Sequence, residues 1–127
     1  MFEQSPAVFV HGLLGSFYCG TVQAPLGSRL TYTPDLLGYG TCSEVPAAEL
    51  TLRAQMEHLR ADVLSRFNGR RVHLVAHSVG GIVANMLAHD CPDLIVSIVH
   101  LEGSFMLPHG PGFQLQRPCL ITGQSLL

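Results

Sequence analysis

The run Leu94-Ile95-Val96-Ser97-Ile98-Val99-His100-Leu101 is almost continuously apolar, and it constrains the fold more than any other stretch of the chain. A strand with one wet face alternates apolar and polar residues. A run this apolar suits a strand covered on both faces, which is the situation of a parallel sheet. Shorter runs of the same kind recur. Ala7-Val8-Phe9-Val10-His11 ends at Gly12, and Val72 to Ala76 forms another. Leu30-Thr31-Tyr32-Thr33 is a weaker strand stopped by Pro34, and Cys119-Leu120-Ile121-Thr122 is a last candidate.

The segments between these runs carry helical signals. Thr51 can cap a helix running to about Phe67, in which Leu52, Met56, Leu59, Val63 and Phe67 make one apolar stripe. Asn68-Gly69 stops it. Val79 to His89 reads as a second helix, apolar on most sides and ended by Pro92. Residues 34–50 and 103–118 are rich in turn formers and read as loops. Strands that alternate with helices predict an α/β fold, a mostly parallel sheet with helices on both faces, in a single domain over residues 1–127. Such sheets build their sites at the carboxyl ends of the strands, where His11-Gly12, His77-Ser78 and Glu102 fall.

Composition narrows the function. Apolar residues make up 47% of the 127 and charged residues 13%, which argues for a packed core and against disorder. Net charge is −2 and the Lys and Arg residues are scattered, so no stripe could follow a phosphate backbone and nucleic acid is not an expected partner. No apolar stretch reaches the length of a bilayer span. The start, Met1 to Pro6, carries an acid and no basic region, unlike a signal peptide. Cys19, Cys42, Cys91 and Cys119 lie far apart without a C-x-x-C pair, and reduced thiols are the expectation. This points to a cytoplasmic location. Neither a G-x-G-x-x-G fingerprint nor a Gly-Lys-Ser/Thr loop is present, so no nucleotide cofactor is expected. His73 and His77 would share a strand face, but no third ligand has sensible spacing, so packing is preferred to a metal.

The segment Ala76-His77-Ser78-Val79-Gly80-Gly81 follows a strand and opens a helix. That is the context of a G-x-S-x-G nucleophile elbow, with Ala76 in place of the first glycine. A serine on so sharp a turn projects its hydroxyl from the sheet, and the residues two before and two after must be small. Amides at the start of the helix then point toward a developing oxyanion. The plainer alternative is a serine that only caps a helix. A glycine-rich turn, His11-Gly12-Leu13-Leu14-Gly15-Ser16, follows the first strand and can bring a second backbone N–H to the same place. The expected donors are the amides of Leu13 and Val79.

Together Val8 to Ser16, Thr33-Pro34-Asp35-Leu36-Leu37-Gly38-Tyr39-Gly40 and Leu74 to Gly81 resemble the N-terminal half of the α/β-hydrolase superfamily, in order and in spacing. The resemblance covers about residues 7–104. It implies Ser78 as a nucleophile, Leu13 and Val79 as an oxyanion hole, and an esterase-like serine hydrolase rather than a dehalogenase or epoxide hydrolase. Asp35 reads as a turn former.

In that family the chain order is serine, acid, histidine. Glu102, at the end of the strand Ile95 to Leu101, is the best acid, against the alternative that it opens a solvated loop. Asp90 and Asp93 flank the far end of the helix after Ser78. No histidine follows a last strand. His89 and His100 are badly placed, and His109 is the one downstream histidine with a route to Ser78. The chain therefore reads as an incomplete hydrolase domain. The expected function is hydrolysis of an ester or related small acyl substrate, weak or absent in this chain. A non-catalytic, hydrolase-derived fragment or binding module is the alternative.

Overall fold

A computed structural model describes residues 4–13, 15 and 24–101. Its main elements are β1 (Ala7–Val10), β2 (Thr31–Tyr32), α1 (Leu52–Phe67), β3 (Val72–His77), α2 (Val79–Asp90) and β4 (Ile95–Leu101). The strands form one parallel sheet in the order β2-β1-β3-β4. The loop over residues 34–50 holds two short 3-10 turns, Gly40–Cys42 and Ala47–Glu49.

Local chemistry explains the helix ends. Thr51 Oγ1 accepts the amide of Ala54 at 3.0 Å and caps α1. Asn68 then turns left-handed at φ 51° and Gly69 follows at φ 78°, so the chain leaves the helix there. Met56, Leu59, Val63 and Phe67 are buried, as their spacing predicts. Each contributes about 1.5–3 kcal/mol of transfer free energy before the cost of ordering the chain.

Strand alternation divides the sheet's two faces. Val8, Val10, Leu74, Ala76 and Ile98 join the α1 stripe and Val83, Ala84 and Leu87 of α2 in the main core. Ala7, Phe9 and Val75 form a smaller cluster, against which Leu26 and Val99 pack. Among the described residues both helices therefore lie on one face. Handedness gives the reason. The path from β2 over β1 to β3 and the path from β3 to β4 run the same way across the sheet, and right-handed crossovers in one direction share a face. The β1-to-β2 connection runs the opposite way, through residues only partly described, and its Leu26 does pack on the other face.

Candidate functional site

The parallel register sets the carboxyl ends of three strands side by side. Val10 pairs with Ala76 and His77 pairs with Leu101. Ser78 lies at this edge, between the last residue of β3 and the first of α2. Its amide donates to the carbonyl of Leu101 at 3.3 Å, and its own carbonyl accepts from Gly81 at 2.9 Å. Glu102 follows Leu101 but lies outside the described residues, as do His109, the Gly103–Pro118 loop and the expected strand at Cys119–Thr122.

The backbone of Ser78 has φ 52° and ψ −124°. Asn68 shares the positive φ but has the ordinary left-handed ψ of 40°. Ser78 does not, and such a conformation costs a non-glycine residue about 1–3 kcal/mol. An ordinary capping serine has extended backbone and a side chain that accepts an amide of the first turn. Ser78 has neither: it makes no side-chain capping hydrogen bond to α2. The plain capping alternative thus does not describe this serine.

Close packing around the turn explains its small residues. A Cβ on Gly12 would lie 2.9 Å from Ser78 Cβ and 3.0 Å from His77 Nδ1. A Cβ on Gly80 would lie 2.5 Å from the carbonyl oxygen of His11. The end of β1 thus presses on the first turn of α2, which is one reason residue 80 is small. Ala76 is fully buried in the main core.

Val79, as the first residue of α2, has no carbonyl one turn earlier for its amide to bond. Leu13 is 70% exposed on the turn after β1. Three side chains that sequence reasoning left without a role hold this turn or the loop over residues 34–50 beside it. The buried His11 accepts the amide of Leu36 on Nε2 at 3.1 Å, so its proton sits on Nδ1 and goes to the carbonyl of Gly12 at 2.8 Å. Tyr39 packs edge-on against His11, with centroids 4.8 Å apart, and donates its hydroxyl to the carbonyl of Leu13 at 2.9 Å. Gln55 of α1 clamps both backbone groups of Leu37, at 2.7 and 2.8 Å. The hydrogen bonds to Leu36, Leu37 and Leu13 join residues 18 to 26 apart, a separation at which no sequence periodicity operates.

Asp35 acts as the turn former that the sequence suggests: its carboxylate accepts the amide and hydroxyl of Thr41, both at 3.1 Å. His73 is buried with Nδ1 2.7 Å from Ser97 Oγ, and His100 Nε2 lies 3.1 Å from Asn85 Oδ1. Burial lowers the pKa of both, and the Arg29 and Arg71 charges lower that of His73 further. Among the described residues no cluster of His, Cys, Asp and Glu could hold a metal ion.

A cleft of about 230 Å³ opens beside the serine turn. Gly12, Leu13 and Val79 line it on the serine side, and Leu36, Leu37 and Leu50 belong to the loop that lines it elsewhere.

The arrangement agrees with known proteins. The Alpha/beta hydrolase family matches residues 7–123. Human "Protein ABHD8" is 34% identical over 109 residues, covering 83% of this chain and 25% of that protein. "Probable lysophospholipase BODYGUARD 3" of Arabidopsis thaliana is 34% identical over 100 residues, 74% of this chain and 20% of that protein. The chain thus spans a quarter or less of these relatives. Among solved structures, a hydrolase from Pseudomonas aeruginosa is similar with a TM-score of 0.67 at 27% identity, over 86% of this chain and 40% of that one. An extracellular α/β-hydrolase from a Paenibacillus species has the same fold, with a TM-score of 0.67 at 21% identity over 82% of this chain and 43% of that one. The turn after β1, the Asp35 loop and the strained serine all fall inside the matched segment, and the chain belongs to the α/β-hydrolase family.

Proposed function

We propose that the chain carries the nucleophile half of a serine hydrolase for ester or related small acyl substrates. Ser78 Oγ attacks the acyl carbon, and the negative charge that develops on the carbonyl oxygen is received by the amides of Leu13 and Val79. The observation that carries this reading is the Ser78 backbone, at φ 52° and ψ −124° with no capping bond. Strain of this kind persists only where surrounding structure enforces it, and it gathers at functional sites. The aligned amides of α2 put positive potential beside the serine.

Glu102 is the proposed acid. The bond from the Ser78 amide to the carbonyl of Leu101, the residue before Glu102 in the chain, supports it. Its role is to orient a histidine that takes the serine proton. His11, His58, His73, His89 and His100 each bond to other groups, at Gly12, Asp35, Ser97, Asp90 and Asn85 respectively. Slow turnover by this chain is part of the proposal. The substrate is a small molecule and no nucleic acid is involved. Among the described residues no helix is long and apolar enough to cross a membrane, and the free thiols of Cys42 and Cys91 support a reducing, cytoplasmic setting.

Hydrolysis of a p-nitrophenyl ester by the purified chain and by Ser78→Ala tests the reading. The expected result is a slow rate that Ser78→Ala abolishes. Equal rates in the two proteins would overturn it and favour a binding module.

A further inference from the structure

We propose that the cleft beside Ser78 is a subsite for an unbranched, saturated chain of about six to eight carbons. The inference rests on the reading of Ser78 as the nucleophile, and it names the substrate class. The cleft begins where the acyl group would sit. It is lined by Gly12, Leu13 and Val79, and a Cβ on Gly12 would be 2.9 Å from Ser78 Cβ. From there its walls are leucine and valine side chains, with no charged residue.

The polar residues in the lining are Tyr39, Thr51 and Gln55, and each already makes a hydrogen bond within the protein. The Tyr39 hydroxyl donates to Leu13, Thr51 Oγ1 caps Ala54, and both ends of the Gln55 amide hold Leu37. A charged or hydroxylated chain entering here would give up its water for only the spare lone pairs and hydroxyl proton of these groups, which is costly. An alkyl chain loses nothing by the exchange. The length follows from the volume: an apolar cavity of about 150 Å³ holds the six carbons of benzene, and the cleft offers about 230 Å³. Leu50 is placed to set that length. It leads into α1, lies 39% exposed, and its Cδ1 would be 3.1 Å from a Cβ on Gly38.

The test uses n-alkylboronic acids from propyl to dodecyl, with sodium alkanoates of matched length, titrated calorimetrically into the 127-residue chain. In the boronic adduct Ser78 Oγ donates an electron pair to boron, a B–O bond forms, the O–H bond breaks and the proton goes to solvent. The expected affinity rises about fourfold per methylene up to a hexyl or octyl optimum and gains nothing at dodecyl. Leu50→Phe should shorten the optimum and Leu50→Ala lengthen it. Should either variant fail to fold, shifts of the Leu36 and Leu37 methyl resonances with sodium octanoate in the wild type give an independent reading. Affinity that does not depend on chain length in either series, or octanoate shifts that miss these leucines, overturns the subsite. Failure of the nucleophile reading looks different. Boronic acids would then bind no better than alkanoates and Ser78→Ala would change neither, while the length dependence and its response to Leu50 persist.

Discussion

A methyl group on Gly80 would lie 2.5 Å from the carbonyl oxygen of His11, so the first turn of α2 rests directly on the end of β1. This contact sets how close Val79 comes to the turn that carries Leu13. Gly80→Ala should therefore destabilise the chain by about 2–3 kcal/mol through overpacking, although alanine is the better helix former by about 1 kcal/mol. The urea midpoint measures it. A variant as stable as the parent would mean that β1 and α2 are not in this contact.

The strain at Ser78 gives an opposite expectation. Glycine tolerates φ 52° with ψ −124° better than serine does. Ser78→Gly should raise stability by about 1 kcal/mol, while Ser78→Ala, which keeps its Cβ, should stay close to the parent. Thermal unfolding of the three proteins decides the matter, and equal melting temperatures for the glycine and alanine variants would remove the strain argument.

How much of this was legible in the sequence depends on the range of the interaction. The stripe from Met56 to Phe67, its Thr51 cap and its Asn68-Gly69 stop are local, and α1 lies where they predict. The strands before Gly12 and Ser78 were equally legible, because apolar runs and glycine turns are also local signals. The face that each helix covers was not, since it depends on strand order. Nor was the support around Leu13. His11, Tyr39 and Gln55 act across the fold through the loop at residues 34–50, whose turn-forming composition says nothing of its partners. The same limit hid a second demand on Gly80, its crowding by the end of β1, far away in the chain.

Support of the turn after β1 can be graded. His11 is 2% exposed, and it satisfies the Leu36 amide within the protein. His11→Ala should cost about 2–4 kcal/mol, from the cavity and from an unpaired amide. Tyr39→Phe keeps the ring against His11 and removes only an exposed bond to Leu13, a loss of about 1 kcal/mol or less. Chemical denaturation of both variants checks the order, and a Tyr39→Phe loss as large as that of His11→Ala would contradict it.

Acid should weaken the fold through His73 and His100. Both have folded pKa values held below the ordinary 6.5, first by burial. Below about pH 6.5 the unfolded chain takes up protons that the folded chain refuses, so stability rises with pH there. The contribution of these residues is present in full above 6.5, is lost as pH falls from 6.5 toward the folded values, and levels off beneath them. Melting temperature recorded from pH 7.5 down to pH 5 should fall less steeply in His73→Gln than in the parent. Parallel curves would show that His73 takes up its proton as readily folded as unfolded.

The central claim is that the fold presents Ser78 as a nucleophile. Prolonged incubation of the chain with a fluorophosphonate, followed by peptide mass spectrometry, tests it most directly. The account expects a phosphonyl adduct on the peptide containing Ser78, formed ahead of the chain's other serines and absent from Ser78→Ala. An unlabelled Ser78, or equal labelling of the parent and Ser78→Ala, would contradict it.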